Sequence, residues 1–212
     1  MKTKGLFITG TDTGVGKTTT AALIARMLKA SGINVGVMKP LQCAGNDAKT
    51  LMKAAGIKDD ISLVCPYYFK APVAPGAAAV LEKKKISKHK IMRAYKKLSG
   101  RHSFMIVEGA GGLLVPLAKN YLLVDLIKDM GLPLLIVARP NLGTINHTLL
   151  TVECAKKRNI KIFGIVINYS KNFKMHPAEK NTPRIIKELS GLPLWKIPNV
   201  AHDRAILRDP EE

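Results

Sequence analysis

Short apolar blocks rich in β-branched residues recur at Leu6–Thr9, Val35–Met38, Met105–Val107, Leu134–Val137 and Phe163–Ile167, with a shorter one near Leu194–Ile197. They read as strands buried on both faces. Helix-like segments lie between them, at about Thr18–Ser31, Asp47–Ala55, Ser87–Leu98, Val124–Met130, Ile145–Arg158 and Pro183–Ser190. This alternation predicts an α/β fold: a mostly parallel central sheet with helices on both faces and right-handed crossovers. No internal repeat, low-complexity segment or linker divides the chain, so residues 1–212 are expected to form a single domain. The stretch Cys65 to Ala79, with Pro66, Pro72 and Pro75, is expected to be an extended, turn-rich excursion. Ligands of such sheets gather at the carboxyl ends of the strands, and the search for chemistry starts there.

The first strand runs into Gly10-Thr11-Asp12-Thr13-Gly14-Val15-Gly16-Lys17-Thr18-Thr19 and then into a helix of good formers. A glycine-rich loop ending in Gly-Lys-Thr between strand and helix is a triphosphate cradle. Backbone N–H groups and the helix N-terminus converge on phosphate oxygens, Lys17 neutralises the β/γ-phosphates, and Thr18 offers its hydroxyl to magnesium. The spacing departs by one place from G-x-x-x-x-G-K-[ST]: Thr11 stands where the first glycine belongs, and Gly10 precedes it. The motif places the domain among P-loop NTPase-like folds.

Other strand ends carry matching chemistry. Lys39-Pro40 follows the second strand, with Asp47 opening the next helix. Glu108-Gly109-Ala110-Gly111-Gly112 follows the third, Leu142-Gly143-Thr144-Ile145-Asn146-His147 opens a helix after the fourth, and Asn168 ends the fifth. Lys17, Lys39, Asp47, Glu108 and Asn168 are therefore expected on one edge, and cations with metal-holding acids are what phosphoryl transfer needs. Asp47 alone reads as a helix N-cap, and only the company of Thr18 and Glu108 makes it a metal acid. Glu108 reads as a Walker-B-type acid, since the glycines after it leave it no packing role. Both acids are expected on solvent-facing loop ends. Lys39 reads as functional by its place before Pro40, against a surface lysine. His147 reads equally well as a helix residue satisfied by backbone.

Composition narrows the setting. At 212 residues and 47% hydrophobic content the chain can bury a large core without disulfides. Cys43, Cys65 and Cys154 are too scattered for a disulfide framework or a C-x-x-C metal site, which suits a reducing cytoplasm. The start, Met-Lys-Thr-Lys, enters a strand at once without a signal-peptide pattern, and no apolar run approaches the roughly 20 residues of a membrane span. Lys+Arg 34 against Asp+Glu 15 gives a net charge of +19. The basic residues are dispersed, without repeated aromatic interleaving, so a solvated basic surface is expected and nucleic acid is not.

Gly-Thr-Asp-Thr-Gly-Val-Gly-Lys-Thr at 10–18, Lys-Pro at 39–40, Val-Glu-Gly-Ala-Gly-Gly at 107–112, Leu-Gly-Thr-Ile-Asn-His at 142–147 and Asn168 resemble the dethiobiotin synthetase family in order and spacing, over nearly the whole chain. Partition and septum-site ATPases fit less well, since they carry a signature lysine where this chain has Asp12. The resemblance implies an ADP-forming cyclo-ligase in the cytoplasm that uses ATP, Mg2+ and CO2 or bicarbonate to convert 7,8-diaminononanoate to dethiobiotin. One amine forms a carbamate whose oxygen attacks the γ-phosphorus, and the second amine then closes the ureido ring and expels phosphate. The resemblance gives Lys39, Lys17 and Thr13 the catalytic positions and Thr18, Asp47 and Glu108 the metal. It puts Gly14, Val15, Gly16, Lys17, Thr18 and Thr19, with Glu108, Gly109, Ala110 and Gly111, on the phosphates. Asn168, Tyr169, Pro198, Asn199 and Val200 fall on the adenine. Cys43 would face the diamine, and Leu142, Gly143, Thr144, Ile145 and Asn146 its carboxylate, across the interface of a homodimer with shared active sites. Two positions depart from the family pattern. Cys43 stands where serine or threonine is usual, and Gly76 replaces the histidine of Pro-x-x-Pro-His. A DNA- or partner-associated P-loop ATPase switch is the alternative that the basic surface suggests. A P-loop binding protein without catalysis is the alternative that Cys43 and Gly76 suggest.

Overall fold

A computed structural model of the chain describes residues 4–170 and 177–198. In chain order its elements are β1 (Gly5–Gly10), α1 (Lys17–Ala30), β2 (Val35–Met38), β3 (Leu41–Cys43), α2 (Asp47–Ala55), α3 (Ile61–Val64), β4 (Tyr67–Phe69), α4 (Pro75–Leu81), α5 (Lys88–Ser99), β5 (Phe104–Glu108), β6 (Pro116–Ala118), β7 (Tyr121–Leu122), α6 (Leu123–Met130), β8 (Leu134–Ala138), α7 (Thr144–Lys157), β9 (Ile162–Asn168), α8 (Thr182–Ser190) and β10 (Leu194–Ile197). The main sheet has six strands, ordered β10-β9-β8-β1-β5-β2, and every pairing is parallel. All residues of β1, β2 and β8 are buried, so both faces of the sheet are covered, as the continuous apolar blocks predicted.

Register is what builds the site. Ile8 lies opposite Glu108, and Gly10 opposite Val137, so the loops after β1, β5 and β8 open side by side. Met38 lies opposite Val107, which brings the next residue, Lys39, level with Glu108. Asn168 ends β9 opposite Ile197 of the edge strand.

The excursion from Cys65 to Ala79 is more ordered than its prolines suggested. β4 pairs in parallel with β3, Leu41 against Tyr67 and Cys43 against Phe69, while Pro75 opens α4. Strands of three residues are too short to show alternation, and a proline at the first helical position starts a helix because its missing N–H has no partner to lose. The β6–β7 hairpin escaped notice for the same reason of length.

At the opposite end of the sheet a polar cluster ties β2 to β5. Asp59 accepts from Arg101 Nη1 at 2.9 Å and faces His102 Nε2 at 2.8 Å, while His102 Nδ1 lies 2.7 Å from Asn34 Oδ1. Burial pushes the Asp59 carboxyl up, but the hydrogen bonds from Arg101 and His102 outweigh it and hold the carboxyl below the ordinary 3.8. A depressed folded pKa contributes stability that is complete above the unfolded value and lost as pH falls through the folded one. Asp59→Asn is therefore expected to cost about 1–2 kcal/mol in urea unfolding at pH 7, with the gap to wild type closing as the pH drops below the unfolded value. A gap that persists under acid conditions would contradict this account of the cluster.

Candidate active site

The loop between β1 and α1 is held from several sides. Thr11 N donates to Val137 O at 2.9 Å, and Lys17 Nζ donates to Asp12 O at 3.0 Å. Asp12 Oδ1 accepts from Thr13 N, and its other oxygen is 3.5 Å from Arg139 Nη1. Gly16 caps α1 in a left-handed conformation, φ 94°, without a side-chain cap, and no acid occupies the helix's first turn. A side chain at Gly16 would strike Asn168. The helix N-terminus is thus left with free N–H groups and a positive dipole end, suited to an anion. The shifted first glycine also has a packing reason. A Cβ on Gly10 would sit 2.7 Å from Val15 Cγ2 and 3.0 Å from Lys17 Nζ, so the loop folds back over the strand end itself.

Beside this loop lies a buried charge cluster. Lys39 Nζ is 2.5 Å from Glu108 Oε1, 2.9 Å from Asp47 Oδ2 and 3.2 Å from Gly109 O. Thr18 Oγ1 donates to the same Glu108 oxygen at 2.9 Å. Burial works against the Lys39 charge, but the Glu108 and Asp47 carboxylates prevail and raise its pKa, so it stays an ammonium. Burial pushes the Glu108 carboxyl upward, against Lys39 and Thr18, which stabilise the anion. Lys17 is lowered to about 8, first by burial and then by repulsion from Lys39. Glu108 Oε2 is buried without a hydrogen-bond partner among the described residues.

Glu108 is the chief correction to the sequence reading. It does not sit on a solvent-facing loop end; it is the last residue of β5 and 0% exposed, because the neighbouring strand ends and α1 close over it. Asp47, its side chain 39% exposed, is the first residue of α2, and Asn46 takes the N-cap position.

One cleft of about 530 Å³ collects Thr13, Gly14, Gly16, Lys17, Thr18, Thr19, Lys39, Cys43, Asp47, Glu108, Ala110 and Gly111. Val15 points into the core, and Gly109 reaches the cluster only through its carbonyl. Asn168 is fully buried behind the loop, donating to Val15 O and accepting from Ser170 N, both at 3.0 Å. Tyr169 is half-buried beside it and Pro198 is exposed; Asn199 and Val200 lie outside the described residues. Leu142, Gly143, Thr144, Ile145 and Asn146 form the entry to α7 but do not line the cleft. Leu142 is 86% exposed there, while the buried Thr144 hydroxyl finds no partner among the described residues. His147 also lies outside the cleft, its carbonyl accepting from Thr151.

Sequence reasoning missed the far wall, Pro72 to Pro75, because the excursion gave no periodic signal that would aim it at the phosphate loop. Position 76 has no room for a side chain in this packing, since a Cβ there would lie 2.8 Å from Pro116 O. Among the described residues no cluster of three or more His, Cys, Asp or Glu could hold a metal alone. Two carboxylates and a hydroxyl suit an ion that draws its other ligands from phosphate and water, as Mg2+ does.

A family model described as an AAA domain matches residues 4–201. The chain is 40% identical over 199 residues to an ATP-dependent dethiobiotin synthetase BioD of Methanococcus vannielii, covering 93% of this chain and 94% of that one. It is 44% identical to the protein of that description in Endomicrobium trichonymphae, covering 92% of each. Among solved structures, the cell division ATPase MinD of Pyrococcus furiosus superposes with a TM-score of 0.60 at 18% identity, covering 99% of this chain and 92% of its own. A ParA family ATPase from Chlorobium tepidum gives 0.58 at 15%, covering 97% and 88%. At that identity these structures establish the fold alone: an α/β P-loop NTPase-like domain.

The buried pair makes a prediction independent of activity. Lys39→Met or Glu108→Gln leaves a buried charge short of its partner and is expected to cost about 3 kcal/mol in urea unfolding, whereas the double variant costs less than the sum. Additive losses would show that the two side chains are not coupled.

Proposed function

We infer the function from family membership: the chain belongs to the ATP-dependent dethiobiotin synthetases, and it is a ligase of biotin biosynthesis. It closes 7,8-diaminononanoate with CO2 to dethiobiotin at the expense of ATP, giving ADP and phosphate. The observation that carries this reading onto the chain's own residues is the convergence of Lys17, Thr18, Lys39, Asp47 and Glu108 on one cleft. Relatives that cover nearly the whole chain leave the DNA-associated switch without comparable support.

In this reading Gly14 to Thr19 and the Glu108 to Gly111 turn receive the ATP phosphates, with Lys17 on the β/γ oxygens. Thr18, Asp47 and Glu108 are the residues that would hold Mg2+, and the unpartnered Glu108 oxygen fits that role. When bound, the ion offsets charge on the transferring phosphoryl group. Lys39 acts electrostatically: held as an ammonium by two carboxylates, it stabilises the carbamate and the phosphoryl group while the carbamate oxygen attacks the γ-phosphorus. Attack of the second amine on the carbamoyl carbon then expels phosphate and closes the ring. Thr13 lies beside the reacting groups. Cys43 faces the diamine as a neutral thiol, since burial raises its pKa. Asn168 holds the loop through Val15 and, with Tyr169 and Pro198, would border the adenine.

The domain spans residues 1–212 and works in the cytoplasm; no described helix is long and apolar enough to cross a membrane. The active unit is a homodimer with shared sites. Support comes from the α7 entry, which stands outside the cleft of its own chain with Leu142 exposed, although its N-terminus is shaped for a carboxylate.

Lys17→Ala is expected to weaken ATP binding and turnover together. Lys39→Ala is expected to leave ATP affinity nearly intact while turnover falls ~100-fold or more. Calorimetry with steady-state rates separates the two, and equal losses of ATP affinity would contradict the division of roles. Mixing inactive Lys17→Ala with an inactive variant disrupted over Gly143 to Asn146 should restore part of the activity through heterodimers with one intact site. No recovery after confirmed subunit exchange would favour a site built within one chain.

A further inference from the structure

Asp47 reaches Lys39 from a turn that its own residues do not hold well. Ala44 and Gly45 are both left-handed, φ 57° and 69°, a conformation that costs energy at a non-glycine such as Ala44. Asn46 occupies the N-cap of α2 but makes no side-chain cap hydrogen bond. What closes the turn is Gln42, a buried amide at 3% exposure on β3. Its Nε2 donates to Gly45 O at 2.7 Å, and its Oε1 accepts from Ala48 N at 2.8 Å. One side chain thus stands in for the missing cap and clasps the strained turn from both ends. Ala44 N also donates to Phe69 O at 2.8 Å, continuing the β3–β4 ladder, and Asn46 O accepts from Thr50 N and Oγ1 at 3.0 and 3.1 Å in the first turn of α2, so Gln42 is the side chain that ties the Gly45 end of the turn to the helix start. Asp47 is enclosed between the two atoms that Gln42 binds.

We propose that Gln42 is a positioning residue for the metal-holding acid: its two-ended clasp fixes the Ala44–Asp47 turn and so places the Asp47 carboxylate beside Lys39 and Glu108 before nucleotide arrives. The proposal rests on Asp47 being a ligand of the nucleotide-bound cation, as read above. Carboxylate ligands held by outer partners bind metal more tightly, and losing such a partner costs about tenfold or more in affinity. Nothing about Gln42 requires it to touch ATP or the diamine; it acts through Asp47.

The two bonds can be separated. Gln42→Leu removes both. Gln42→Glu keeps an acceptor for Ala48 N, and so keeps the cap, but sets a carboxylate against Gly45 O and opens the clasp. The measurement is the dissociation constant of Mn2+ for the ADP complex of the purified protein, followed by electron paramagnetic resonance, alongside ADP affinity without divalent ion and the melting temperature. Both Gln42 variants are expected to bind Mn2+ about tenfold more weakly with unchanged metal-free ADP affinity, and both to melt below wild type, Gln42→Glu because it buries a carboxylate against a carbonyl oxygen. Added to Asp47→Asn, Gln42→Leu is expected to cause no further loss, because both act through one carboxylate. If Asp47→Asn weakens Mn2+ while Gln42→Glu binds it like wild type, Gln42 only caps α2 and the proposal falls alone. If Asp47→Asn itself leaves Mn2+ binding unchanged, the assignment of Asp47 to the metal fails and the proposal fails with it.

Discussion

The buried ion pair between Lys39 and Glu108, 2.5 Å apart, is the constraint on which the site depends. Two charges removed from water cost several kcal/mol each, and an apolar pair of similar volume would serve the fold at least as well. The pair is tolerable because each charge has further partners: Asp47 and the Gly109 carbonyl on the lysine, Thr18 on the glutamate. Those same bonds join the end of β2, the end of β5, the first turn of α1 and the start of α2. Removing any one of these elements leaves a buried charge short of a partner, so the geometry around the phosphates is enforced by an electrostatic penalty as much as by packing.

The two buried lysines of the site are unequally compensated by the chain's own carboxylates. Lys39 is already neutralised by two carboxylates, whereas Lys17, buried nearby, donates to the Asp12 carbonyl and pairs with no carboxylate among the described residues, and is lowered to about 8 by burial and by Lys39. An incoming triphosphate relieves this, since it supplies the charge that Lys17 lacks. The net charge of +19 is a separate matter. Among the described residues part of it lies outside the cleft lining, as on α5, which carries Lys88, Lys90, Arg93, Lys96 and Lys97.

The six main strands were legible because each is a continuous apolar block, the pattern of a parallel sheet covered on both faces. The phosphate loop was legible because only glycine fits where Gly10 and Gly16 meet Val15, Lys17 and Asn168. Burial of Glu108 was not, since a charged residue before four small ones looks like a surface turn until the β2–β5 register puts Lys39 beside it. Strands of two or three residues carry too little alternation to be seen, which hid β3, β4, β6 and β7. With them went the Pro72 to Pro75 wall and the structural use of Gln42, whose role depends on a turn conformation that composition does not announce. The spacing of Asn168 put it at the right strand end, but its clasp on Val15 O comes from a fold-over of the loop that no local pattern encodes.

The most direct test of the whole account is release of ADP by the purified protein, measured with 7,8-diaminononanoate and bicarbonate together, with each alone, and with neither. If the carbamate is the nucleophile that the Lys39 cluster serves, ADP appears at a substantial rate only when both are present, in step with dethiobiotin. Steady ADP release that ignores the diamine and bicarbonate would contradict it and return the chain to the class of ATPase switches.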